Sequence, residues 1–78
     1  MNNDNGYNGW RNYETWNVAL YIQNDYKLYQ IAKGCRNYKQ FLRMSISDRG
    51  FSTPDGISWH HPNIYRSEIN AMFRELNE

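Results

Sequence analysis

Seventy-eight residues carrying a net charge of +1 make one small domain, with no apolar run near the roughly 18 residues that would cross a bilayer. Leu, Ile, Val and Phe are only 14 of the 78, or 18%, below the roughly 20% that accompanies disorder when net charge is also high. Thirteen aromatics supply the missing apolar surface, and the single cysteine, Cys35, argues against a disulfide-stapled secreted fold.

Residues 1–9, with two glycines and little that is apolar, read as a flexible N-terminal lead-in to a single domain over 10–78. They lack the charged start and apolar stretch of a secretory signal, so the expected compartment is the cytoplasm. Asn12 stands where an N-cap belongs, and a central helix is predicted over Tyr13–Gln23. Trp16, Ala19, Leu20 and Gln23 share one face, and Val18 and Ile22 lie on another. Asn24-Asp25 breaks the helix and caps a second, short one. Its apolar residues are Tyr26, Leu28, Tyr29, Ile31 and Ala32, and Gly34 is predicted to end it in the left-handed conformation.

A third helix, opened by Asn37 or Cys35, runs to about Ser47. Tyr38, Phe41, Leu42 and Ser45 cluster on its inner face, with Arg36, Lys39 and Arg43 behind. Residues 48–61 read as a loop punctuated by Thr53-Pro54-Asp55-Gly56, in which proline presets φ and glycine permits a positive one. Phe51, Ile57 and Trp59 give that loop reason to pack. Pro62 suits the first turn of a last helix, with Tyr65, Ile69, Met72, Phe73 and Leu76 inward and Arg66, Asn70 and Arg74 outward. The expected fold is all-α, about four short helices with a packed Pro-Asp-Gly loop before the last.

Two stretches resemble the signatures of a family of small uncharacterised proteins from cyanobacteria, other bacteria and phages. One is Asn12-Tyr13-Glu14-Thr15-Trp16-Asn17-Val18, followed by Ile22-Gln23-Asn24-Asp25. The other is Thr53-Pro54-Asp55-Gly56-Ile57-Ser58-Trp59. His60-His61-Pro62 departs from the pattern, in which an acidic residue more often precedes the proline. The resemblance implies a domain of unknown function and supplies no catalytic residue.

No chemistry-bearing motif stands out. The carboxylates are scattered and no phosphate loop or nucleophile motif is present, so a non-enzymatic protein is expected, with no cofactor and no catalytic residue. Adjacent histidines such as His60 and His61 cannot share a metal at helical i, i+4 spacing, so no metal site is assigned. Cys35 reads as a small semi-buried residue.

Three features invite a functional reading. Asn17 lies mid-helix between Trp16 and Val18, and a buried amide must find partners. A structural polar lock with Asp55 and Ser58 is the first expectation, and a pocket lined by Glu14, Thr15 and Asn17 over Trp16 is the second. Trp10 is a candidate interface anchor, aromatics being frequent in interface hot spots. Between Tyr26 and Arg49, six basic residues face Asp48 alone, a local +5 against −4 for the rest. Within it Lys33, Arg36, Lys39 and Arg43 are candidate contacts to a partner or to phosphates. The expected function is a protein-binding module, monomeric or homodimeric and not membrane-bound, with nucleic-acid binding through the basic face as the alternative.

Overall fold

The computed structural model describes residues 6–78, which hold five helices and no extended strand. Residues 1–5 of the expected lead-in lie outside the described residues. Residues 7–10 form a tight turn, in which the Tyr7 and Trp10 N–H groups each donate to the other's carbonyl at 2.7 and 2.8 Å. Asn8 and Gly9 at its centre have φ of 49° and 90°, the left-handed pair that Asn-Gly tolerates best. Tyr7 then packs edge-on against Tyr13 and Trp16, at centroid distances of 5.4 and 4.9 Å.

Helix α1 spans Tyr13–Asn24. It starts because Asn12 Oδ1 accepts the Thr15 N–H at 2.9 Å, and it turns into α2 (Tyr26–Ala32) because Asp25 Oδ1 accepts that of Leu28 at 3.0 Å. Thr15, Val18, Ala19 and Ile22 form the buried stripe of α1, at the i, i+3, i+4, i+7 spacing of one helical face. Trp16 and Leu20, which share a face with Ala19, are only half-buried. Trp16 instead closes the aromatic group with Tyr7 and Tyr13.

Gly34 is not among the positive-φ glycines, which corrects its expected left-handed role. The end of α2 tightens instead through Gly34 N–H to Ile31 O (2.9 Å) and Cys35 N–H to Ala32 O (3.0 Å). From the far end of the chain, Asn77 Nδ2 lies 3.2 and 2.8 Å from the Ala32 and Cys35 carbonyls and 3.0 Å from that of Phe73. One side chain at the end of α5 thus ties the carbonyls at and just after the end of α2 to its own last turn.

The third helix divides in two. Helix α3 covers Tyr38–Met44, capped by Asn37 Oδ1 on the Gln40 N–H, and α4 is a single turn over Ile46–Arg49. Fully buried Ser45 turns its hydroxyl back onto the Phe41 carbonyl at 2.6 Å, beside its own N–H bond to the same oxygen at 2.9 Å, a back-bond of the kind that bends helices. Arg49 then folds over α3, its Nε and Nη2 donating to Leu42 O at 3.3 and 3.0 Å. A cation on the last carbonyls of a helix is favourable.

Helix α5 is Arg66–Leu76 and starts four residues later than Pro62 suggested. The preceding turn is fixed from outside: Asn12 Nδ2 donates to Asn63 O (2.8 Å) and Thr15 Oγ1 accepts the Tyr65 N–H (2.8 Å). Asn70, expected outward, accepts the Tyr38 N–H at 2.8 Å and so joins α5 to the start of α3.

The core is aromatic at its centre. Phe41 has its ring centroid 6.1 Å from Tyr38, 6.1 Å from Trp59 and 5.6 Å from Phe73, and all four are essentially inaccessible to solvent. Val18, Ile22, Leu28, Ile64, Ile69 and Met72 complete the packing from α1, α2 and the α5 side. No helix among the described residues is long and apolar enough to cross a membrane.

Candidate functional site

The late loop is held down by Asn17. Its Oδ1 accepts the Thr53 hydroxyl at 2.6 Å, and its Nδ2 donates to Asp55 Oδ2 at 2.8 Å and to Tyr13 Oη at 3.4 Å. Three of the four hydrogen bonds open to this wholly buried amide are made, and both of its polar atoms are bonded. Thr53 Oγ1 in turn accepts the Ile57 N–H at 3.1 Å, and Thr53 O accepts the Gly56 N–H at 2.8 Å, closing the turn with Gly56 at φ 91°. Tyr21 Oη donates to the same Asp55 oxygen at 3.2 Å.

Of the three residues expected in this lock, Asn17 and Asp55 meet directly. Ser58 lies across an isolated bridge from Ser52, and its Oγ accepts the His60 N–H at 3.1 Å. The partner that sequence reasoning missed is Thr53, 3% exposed. Its place just before the Pro-Asp-Gly turn was the available signal. Burial, then the Asp55 charge, raises the pKa of Tyr13 and of Tyr21 above the ordinary tyrosine value. Thr15 joins a second polar tie, donating to Asn12 Oδ1 at 2.6 Å. Asn12, Thr15 and Asn17 of the first signature are thus occupied in holding the molecule together.

The Tyr38 hydroxyl donates to the Trp59 carbonyl at 2.7 Å, and Trp59 Nε1 donates to Arg49 O at 3.1 Å. Burial pushes the Tyr38 hydroxyl well above its ordinary pKa of 10.0. A raised folded-state pKa gives stability that is full below the unfolded value and declines above it, because the unfolded chain then loses its proton first. The melting temperature therefore falls steeply as pH rises beyond about 10. A pH series of thermal melts checks this, and Tyr38→Phe flattens the alkaline limb.

Trp10 is half-buried against the core and walls a groove between the N-terminal turn and α5, so it does not stand out as an isolated anchor. Lys33, Arg36, Lys39 and Arg43 are all exposed. Lys33 Nζ sits 5.3 Å from the Tyr29 ring centroid, and Arg36 lies outside α3, its backbone N–H bonded to Gln40 Oε1 at 2.8 Å. Lys39 and Arg43 occupy the solvent side of α3. Two further cations of the basic segment are committed elsewhere: Arg49 as above, and Lys27 to Asp48 at 3.6 Å.

Cys35 is buried, its thiol donating to Ile31 O at 3.3 Å and raised in pKa by that burial, the opposite of an activated thiolate. His61 Nδ1 accepts the Asn63 N–H at 3.0 Å, while His60 is exposed. No group of three metal-ligating side chains occurs among the described residues.

The surface that sequence reasoning passed over is apolar. Phe51 is 94% exposed, Ile46 66% and Met44 61%. Phe51 and Ile46 line a hollow of about 350 Å³ together with Arg49, Gly50 and His60. Phe51 was read as a packing residue of the loop, but Thr53 and Trp59 take the inward places and leave it outside. On α3, 100° per residue sets Met44 about 40° from half-buried Gln40 and about 100° from exposed Arg43, with Lys39 about 140° round the helix.

Fold and polar ties together define a small all-α domain whose last loop is locked to its first helix. The chain belongs to a family of unknown function, DUF7249, whose family model matches residues 3–78. No curated protein and no solved structure matches it.

Proposed function

We propose that the protein is a non-enzymatic protein-binding module whose partner docks on the Met44, Ile46 and Phe51 surface. The single observation that carries this reading is Phe51, an aromatic ring 94% exposed above an apolar hollow. A chain with only three phenylalanines keeps one in water at a cost that a partner recovers. The partner is another protein segment presenting apolar side chains beside a carboxylate, because Arg49 lines the same hollow as Ile46 and Phe51. A second copy is disfavoured. A two-fold interface sets the same patch against itself, bringing Arg49 of one chain against that of the other.

Immobilised wild-type chain and Phe51→Ala are compared for capture from source-cell extract, with and without nuclease. The expected result is a protein retained by the wild type in both extracts and lost with Phe51→Ala, the two chains melting alike. Nucleic-acid binding through Lys33, Arg36, Lys39 and Arg43 predicts the reverse: retention that nuclease or raised salt abolishes and that Phe51→Ala leaves intact. That outcome would overturn the proposal.

A further inference from the structure

On another side of the molecule, a groove of about 530 Å³ runs between the N-terminal turn and α5. Its long wall is one face of α5, where Glu68, Met72, Glu75 and Leu76 follow at i, i+4, i+7 and i+8. Trp10 also lines it, as does Gln23, whose Nε2 donates to Met72 Sδ at 2.9 Å. The tight turn through Asn8 and Gly9 fixes Trp10 there, because both of its backbone polar groups are bonded to Tyr7.

Two carboxylates, an indole and a methionine face one apolar trough, and no Lys or Arg lines it. Arg11, the nearest basic residue in sequence, is held away, its guanidinium 4.1 Å from the Tyr65 ring centroid. Arg36 and Arg74 belong to a neighbouring hollow that shares Glu75 on its rim. Glu68 is half-buried and already oriented, its Oε1 accepting the Arg11 N–H at 2.8 Å. Among the described residues its other oxygen accepts no bond.

We propose that this groove binds an alkylammonium group, the alkyl chain lying along Met72 and Leu76 and the ammonium between Glu68 and the Trp10 indole. An aromatic ring and a carboxylate attract the same cation by different means, the ring through its quadrupole and the carboxylate through its charge and hydrogen bonds. The apolar floor is suited to a methylene chain, which a bare metal ion lacks. Two sources carry this chemistry: a free polyamine, and the lysine side chain of a protein.

The test is a titration of the full chain followed by the indole N–H resonance of Trp10, assigned with Trp10→Phe. Butylammonium chloride is compared with butanol at matched ionic strength. The expected result is a saturable shift with butylammonium and none with butanol. Glu68→Gln, which keeps the oxygen that receives the Arg11 N–H, weakens binding about two- to fivefold without changing the melt. Glu75→Gln weakens it less, and Phe51→Ala leaves it unchanged. Spermidine and an end-blocked lysine tripeptide then separate the sources, the tighter of the two naming the ligand. Absence of a saturable shift, equal binding of butanol, or Glu68→Gln binding as well as the wild type overturns the assignment.

Discussion

Asn17→Ala lowers the stability of the folded chain by about 2–4 kcal/mol, the range for stranding buried polar partners. Asn17 is wholly buried with both polar atoms bonded, so its removal takes away three bonds at once. The Thr53 hydroxyl, 3% exposed, loses the acceptor it was buried against, and that orphaned donor dominates the cost. The exposed Asp55 carboxylate turns to water instead and contributes less. The series therefore orders as Asn17→Ala, then Thr53→Val, then Asp55→Ala, with Ser58→Ala nearly neutral. Thermal melts at one pH check the order, at roughly 4–8 °C per kcal/mol for a domain this size. Were Ser58→Ala as costly as Asn17→Ala, a lock centred on Asn17 and Thr53 would be contradicted.

Trp59→Ala leaves the chain unfolded at 25 °C. Truncating a buried tryptophan costs about 3–5 kcal/mol, comparable with everything a core of this size supplies. Trp59 is 1% exposed and the largest of the buried side chains. Although it lies in a loop, its ring meets Phe41, its carbonyl receives the Tyr38 hydroxyl and its Nε1 reaches Arg49 O. Trp59→Phe keeps part of the ring volume and loses only the Nε1 bond, and it folds with a lowered melting temperature. Near-ultraviolet circular dichroism and amide dispersion distinguish the two variants. A folded Trp59→Ala chain would contradict the position given to this loop in the core.

Local rules carried much of the architecture into the sequence. Asn12, Asp25 and Asn37 announce helix starts because capping is a contact made within three residues. The inner face of α3 was legible because Tyr38, Phe41, Leu42 and Ser45 recur at helical spacing. What sequence could not supply were contacts made across the chain. Asn70 reads as an outward residue of α5 until α3 arrives to offer the Tyr38 N–H. Gly34 reads as a left-handed cap until Asn77 reaches back to take the carbonyls. The late start of α5 depends on Asn12 and Thr15, about fifty residues away.

The candidate sites divide along the same line. Asn17 drew notice because a mid-helix amide needs partners, and Asp55 belonged to a loop with polar groups to offer. Thr53 was not singled out, because a threonine before a proline looks like an ordinary turn residue. Phe51 illustrates the opposite failure: composition presumes every phenylalanine to be core, and only the packed loop shows which aromatic was left outside. The basic residues were visible as a cluster, yet the fold commits Arg49 to the end of α3 and Lys27 to Asp48. The surface charge of the segment is correspondingly concentrated on Lys33, Arg36, Lys39 and Arg43.

The most direct measurement is the affinity of the captured partner protein for the wild type and for Phe51→Ala, with Lys39→Ala/Arg43→Ala alongside and all three chains shown to melt alike. Docking on the Met44, Ile46 and Phe51 surface predicts a loss of about thirtyfold or more for Phe51→Ala, the scale of an interface hot spot. It predicts a smaller, salt-sensitive loss for the double variant. An unchanged affinity for Phe51→Ala would contradict the account.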